Sequence, residues 1–204
     1  AALAVGSLAP SSVRAEAGPG RFEITPYGAY RFGGTIEDDD LTAQAEFDDA
    51  PSAGLILNLR ESALTQWELI YSRQDTDADV SDFAFANPTI DVEIESLQVG
   101  GTYIAERPGA RPYLAATIGG TRIAPAVAGL DSDTFWSFSI GGGLRLFPTE
   151  RIGVRLEARL WGTLLDTESD LFCVSGAQGG LCAIALDSRV LWQVETIAGL
   201  TFRF

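Results

Sequence analysis

The 204-residue sequence contains no lysine, no histidine and no methionine. Without lysine there is no Walker-type phosphate loop, whose Gly-Lys-Ser/Thr ending carries the ammonium that reaches the phosphates. Without histidine the usual general base and the commonest metal ligand are missing. Basic side chains number 14, all arginine, against 28 acidic ones, for a formal net charge of −14. So acidic a chain excludes nucleic acid as a partner, because phosphate contact needs a positive surface. No apolar run approaches the ~18 residues of a membrane-spanning helix. A chain of this kind can cross a bilayer only as a closed barrel, the other architecture that leaves no backbone polar group facing lipid.

Residues 1–17 read as the remnant of a signal peptide. Ala1 to Ala9 is small and apolar, and Ala15-Glu16-Ala17 has the small-x-small pattern of a cleavage site. A disordered Ala/Ser-rich tail is the competing reading. Residues 18–204 are long enough for one domain with a full set of buried contacts.

Period-two alternation runs through the rest of the chain, with no helical periodicity. Eight runs are legible: 21–34, 52–60, 64–73, 90–104, 112–123, 135–147, 151–161 and 190–204. In the first, Phe22, Ile24, Tyr30 and Phe32 oppose Glu23, Thr25, Tyr27 and Arg31. In the seventh, Ile152, Val154, Leu156 and Leu160 oppose Arg155, Glu157 and Arg159. The fourth changes parity between Ile94 and Leu97, which predicts a β-bulge near Glu95-Ser96. In the fifth, Tyr113 and Leu114 compete for the apolar side. Long polar segments (35–51, 74–89, 124–134, 162–189) alternate with tight turns (61–63, 105–111, 148–150). Long connections therefore gather at one end, and both termini at the other, as in outer-membrane barrels with short periplasmic turns and long external loops.

The pattern predicts an all-β fold, an eight-stranded antiparallel up-and-down transmembrane β-barrel. A soluble lipocalin-like ligand-binding barrel shares the alternation but turns its apolar face inward. Volume favours the membrane form: eight strands enclose little room, and the apolar face is rich in Leu, Trp and Phe. The opposite face is mostly Gly, Ala, Ser and Thr with a few ions. Buried ions must pair. Arg31, Arg145, Arg155, Arg159 and Arg203 are accordingly expected to form a lumen network with Glu23, Glu68, Glu157 and Glu195, solvated rim positions being the alternative for some of them. Aromatics cluster near both ends of the runs, consistent with two interfacial girdles or with the ordinary β-propensity of rings.

The last run resembles the C-terminal signature of bacterial outer-membrane proteins, with Phe204, Phe202 and Leu200 at alternating positions. The segment Gly142-Gly143-Leu144-Arg145-Leu146-Phe147-Pro148-Thr149-Glu150-Arg151-Ile152 and its continuation to Arg159 look like a hairpin of small OmpA-like and OmpX-like barrels. Phe22 to Tyr30 is similar to their first strand. The resemblance to this porin-like superfamily covers nearly the whole of 18–204. It implies an integral outer-membrane location in a Gram-negative bacterium, with periplasmic termini and extracellular loops. It also implies recognition of Phe204, Phe202 and Leu200 by the barrel-assembly machinery, and contact with outer-membrane lipid and lipopolysaccharide. It implies no activity.

Cys173 and Cys182 flank a glycine-rich segment, and in an oxidising compartment a pair this close is expected to form a disulfide; free thiols are the alternative. Acidic clusters occupy the long segments: Glu37-Asp38-Asp39-Asp40, Asp48-Asp49, and Asp75, Asp77, Asp79 and Asp82. The last resembles the start of a calcium loop but lacks its glycine and closing glutamate, with Val80 and Ala86 at those positions. Solvated, self-repelling tips are expected rather than a metal site. No cofactor is called for, and serines such as Ser137 and Ser139 have no histidine to activate them. The function expected is structural or surface-interacting and non-enzymatic, with a narrow pore for ions or small solutes as the alternative.

Overall fold

The computed structural model describes residues 21–37, 44–79, 89–105, 109–126, 132–147, 149–165, 173–174, 181–182 and 190–204. The expected signal remnant 1–17, the acidic residues Asp38, Asp39, Asp40 and Asp82, and the calcium-loop positions 80 and 86 lie outside them. Twelve strands follow one another: β1 (Phe22–Phe32), β2 (Thr35–Glu37), β3 (Gln44–Phe47), β4 (Ala50–Arg60), β5 (Thr65–Asp79), β6 (Thr89–Ile104), β7 (Ala110–Pro125), β8 (Asp133–Leu146), β9 (Ile152–Leu164), β10 (Cys173–Val174), β11 (Leu181–Cys182) and β12 (Val190–Arg203).

Eight of these strands close into a barrel in the order β1-β4-β5-β6-β7-β8-β9-β12, with β12 returning to β1. Every pairing is antiparallel. The seam between the first and last strands is sealed where Phe204 N donates to Phe22 O at 2.9 Å. Closure leaves no edge to template aggregation or to face lipid unpaired. β2 pairs with β3 and β3 with β5, adding a short hairpin at the long-connection end. The turn before β7 carries Gly109 at φ 84°, a left-handed conformation that glycine adopts without a Cβ penalty.

Register fixes the barrel's dimensions. Stepping across partners from Phe22 leads through Leu59, Trp67, Gly101, Ala116, Ile140, Leu160 and Val194 back to Phe32. The stagger is thus 32 − 22 = 10 residues for eight strands. Such a stagger tilts the strands by roughly 40° and leaves an interior only wide enough for side chains to fill.

The outward face carries an apolar belt. Trp136, Leu114, Ile140, Ile118, Leu97 and Trp67 are each more than half exposed, a belt far more apolar than the surface of a water-covered monomer. Along β1 the belt runs the eleven residues Phe22–Phe32, which at this tilt rise about 25 Å, the height of a membrane barrel's lipid-facing band. A lipocalin-like arrangement would have buried these side chains.

Three expectations are corrected. There is no bulge at Glu95-Ser96: β6 pairs with β5 without interruption from Tyr103 to Thr89, and with β7 from Ile104 to Val92. The parity of the sequence changes because the surroundings do. Within the belt Leu97 and Val99 point outward to lipid. Beyond it the outward positions face water, so Glu95, Glu93 and Asp91 take them while Ile94, Val92 and Ile90 turn inward and are buried. For the same reason 74–79, expected as loop, continues β5, with Asp75 and Asp77 outward and Gln74, Thr76 and Ala78 inward. Finally, bulky hydrocarbon is not confined to the outside. Tyr27, Ile56, Ile70, Trp161 and Ile197 form an inward cluster, and Phe47, Ile123, Phe135 and Leu191 are buried at the long-connection end.

Candidate functional site

The lumen is the place where this chain concentrates its polar chemistry. Inward positions of all eight barrel strands contribute, so the site is built by alternation: each strand offers every second residue to the axis. Of the nine charged residues expected there, all but Arg203 are essentially inaccessible, and Arg203 sits at the short-turn rim with 14% of its side chain exposed.

At the short-turn end Glu23 accepts from Arg203 Nε (2.9 Å) and Nη2 (2.8 Å) on one oxygen and from Arg145 Nη1 (2.9 Å) on the other. Arg145 also donates to Gln66 Oε1 (2.7 Å) and to Asn58 Oδ1 (3.3 Å). Asn58 is the link upward, since its Oδ1 accepts from Arg155 Nη1 at 3.2 Å and its Nδ2 donates to Glu68 at 3.1 Å.

In the middle, Arg155 and Arg159 clamp Glu68 and Glu157 into a four-membered ring. Arg155 donates to Glu68 Oε2 (2.9 Å) and Glu157 Oε2 (2.8 Å), and Arg159 donates to Glu68 Oε1 (2.6 Å) and Glu157 Oε1 (2.6 Å). Tyr113 Oη donates to Glu157 at 2.6 Å and accepts from Arg155 Nε at 2.8 Å. Charge-assisted bonds of this kind are about twice as strong as neutral ones, and planar guanidinium suits them. That Tyr113 rather than Leu114 turns inward resolves the ambiguous parity of β7.

Towards the long-connection end Glu195 accepts from Arg31 Nη2 (3.0 Å), Ser52 Oγ (2.5 Å) and Trp161 Nε1 (2.8 Å). Trp161 joins the tiers, because its ring lies under Arg31 (4.6 Å) and against Arg159 (5.7 Å). The sequence reading missed Trp161. Its parity follows from Arg155, Glu157 and Arg159, but its size argued against a narrow lumen.

Above this tier lies a boundary where polarity runs out. Both amide atoms of Gln74, Nε2 of Gln193 and, lower down, Nε of Arg145 are buried with no hydrogen-bond partner among the described residues. The inward glycines are not gaps: a Cβ on Gly141 would collide with the Glu157 carboxylate, with Arg159 Nε 3.2 Å away, and one on Gly54 would meet the Tyr27 ring.

The remaining expected sites are placed as follows. Phe204, Phe202 and Leu200 all point outward on or after β12. The backbones of Cys173 and Cys182 stand directly opposite each other in the β10–β11 ladder. Among the described residues no three acidic or cysteine side chains converge as a metal site; Asp75 and Asp77 lie on the outward face of β5, opposite Glu93 and Asp91 of β6.

Belt, closure, stagger and filled lumen define a class: a small, closed, eight-stranded transmembrane barrel of the outer-membrane kind. Comparison with solved structures gives the particular relatives of the fold. Neisserial surface protein A (NspA) superposes with a TM-score of 0.60 at 14% identity, over 92% of this chain and 99% of that one. The outer membrane protein AlkL, solved in lipid bilayers, gives 0.53 at 13% identity over 99% and 97%. Ail, the attachment invasion locus protein of Yersinia pestis, gives 0.50 at 15% identity over 91% and 99%. No protein-family profile and no curated protein sequence matches the chain. At these identities the likeness is one of fold.

Proposed function

We propose that the protein is an integral outer-membrane barrel without catalytic activity, whose membrane-embedded part is a closed scaffold and whose long-connection end is a surface for contacts. The observation that carries this reading is the continuous chain of side chains from Glu23 through Asn58, Glu68, Glu157 and Trp161 to Glu195, which fills the lumen from rim to rim of the belt. Ser52 and Thr102 do donate to carboxylates, but both are sealed inside the barrel, where no substrate reaches them. A pore would need open glycine positions, and the packing on Gly141 and Gly54 argues against it.

In this reading the short turns and both termini face the periplasm, and the acidic extension of β5 and β6 faces outward, beside lipopolysaccharide. Phe204, Phe202 and Leu200 are the residues offered to the assembly machinery, and Cys173 and Cys182 form a disulfide. The likeness to a Neisserial surface protein and to an attachment invasion locus protein supports a surface role. Reconstitution in planar bilayers tests the scaffold: the expected result is a silent membrane, and reproducible unitary current steps would overturn it. Cell fractionation with gel mobility before and after boiling tests the location, a folded outer-membrane barrel migrating differently from its denatured form.

A further inference from the structure

One line of cross-strand partners on the outer wall thins over two strands. Around the circuit Phe22, Leu59, Trp67, Gly101, Ala116, Ile140, Leu160 and Val194, only the two adjacent positions Gly101 and Ala116 carry nothing larger than a methyl group. Trp67, Tyr103, Leu114 and Ile140 stand around them, each more than half exposed, and line an open apolar groove of about 490 Å³ whose wall reaches Glu61 and Thr65 at the short-turn end. At roughly 30 Å³ for a group the size of a water or methylene, the groove holds about sixteen carbons.

We propose that this groove binds one bilayer lipid with a primary-ammonium headgroup, an acyl chain lying over Gly101 and Ala116 and the ammonium N–H groups on the Glu61 carboxylate. The groove lies within the apolar belt and is continuous with it, so its occupant is hydrocarbon. Among the described residues lining it, Glu61 is the exposed anion, with one oxygen 3.4 Å from Thr65 Oγ1, and its carboxylate accepts N–H hydrogen bonds that a primary ammonium donates and the trimethylammonium of choline cannot. The concavity suits a flexible chain better than the convex wall of a second barrel. The inference rests on the membrane placement proposed above.

Trp67 reports on the site directly. The other two outward tryptophans, Trp136 and Trp192, belong to the opposite end of the belt and are replaced by phenylalanine, while Trp161 is shielded in the lumen. The full chain is reconstituted in phosphatidylcholine vesicles containing either phosphatidylethanolamine or phosphatidylcholine brominated on the chains. Half-quenching of Trp67 is expected at an about threefold lower fraction of the brominated ethanolamine lipid, the scale of one exposed ion pair. Glu61→Gln should equalise the two lipids. Gly101→Leu and, separately, Ala116→Leu should fill the groove and abolish the preference; a Cβ at Gly101 meets only Gln66 O at 3.6 Å, so the backbone need not move. Ala198→Leu, outward on β12 away from the groove, should change nothing. Equal quenching in the wild type, a preference surviving either filling variant, or a dimer trapped by cross-linking at Trp67 would overturn the proposal. Absence of quenching by either lipid would instead remove the membrane placement itself.

Discussion

Glu157 and Gln74 are both buried polar side chains on the inner wall, yet they sit in opposite circumstances. Glu157 is held by Arg155, Arg159 and Tyr113. Replacing it with leucine leaves two buried guanidinium groups sharing the single carboxylate of Glu68, with one positive charge uncompensated. Removing one partner of a buried ion pair costs about 3–5 kcal/mol, so Glu157→Leu should lower the midpoint of urea unfolding in vesicles by a corresponding margin. Gln74 has no partner for either amide atom among the described residues, and Ile94 stands opposite it on β6. Gln74→Leu orphans nothing and removes a buried amide whose desolvation is uncompensated, so it should be neutral or stabilising by about 1–2 kcal/mol in the same assay. If both variants fell equally, the ion network would not be what holds the lumen together. Cys173 and Cys182 offer a separate test: opposite residues in an antiparallel ladder have Cα atoms within the range a disulfide spans. Intact mass after alkylation should therefore change only when the protein is first reduced.

At the level of elements, the β5–β6 hairpin leaves the belt with like charges facing each other: Asp75 opposite Glu93 and Asp77 opposite Asp91. The hydrogen bond that protonated Asp77 donates to the Asp91 carboxylate, with slight desolvation and the repulsion of the Asp91 and Asp48 charges, raises the Asp77 pKa above its usual value. A group whose pKa is raised by folding stabilises the fold while protonated and loses that contribution as the pH rises through its folded value. The hairpin end should therefore show lower amide protection factors, corrected for the intrinsic pH dependence of exchange, at neutral than at acid pH, and Asp91→Asn should raise protection over 75–79 and 89–93 at neutral pH with little effect in acid. The same hairpin shows where sequence reading stopped. Alternation revealed the eight strands because lipid on one side and a packed lumen on the other impose opposite demands on successive residues. Where Glu95 and Gln74 pass the membrane surface, water replaces lipid and the demand inverts, so a continuous strand reads as a bulge in one case and a loop in the other. Inward parity was legible for Glu23, Arg145, Arg155 and Glu157. That Glu23 meets Arg145, 122 residues away, was not, because that meeting depends on the ten-residue stagger, which no single strand contains.

For the molecule as a whole, the decisive quantity is which medium covers each height of the outer wall. β5 passes through both media on one face: Trp67, Leu69 and Tyr71, then Arg73, Asp75 and Asp77. Leu69 lies near the middle of the belt and is 38% exposed, with Leu57 and Val99 as its outward neighbours in register. An arginine at that height in a bilayer has neither water nor an acidic partner within reach on those neighbours, and costs about 2–4 kcal/mol. The same arginine at Asp75 stands in water beside Glu93, where an exposed pair is worth under about 1 kcal/mol. Leu69→Arg should therefore lower unfolding stability strongly in vesicles while Asp75→Arg leaves it nearly unchanged. The gap between the two variants should narrow in small detergent micelles, which deform around a charge more readily than a bilayer. A barrel covered by water along its whole height would respond the other way, with Leu69→Arg harmless in every medium. Equal stability of the two variants in vesicles would therefore remove lipid from the outer wall, and with it the physical reason for the parity change at Glu95.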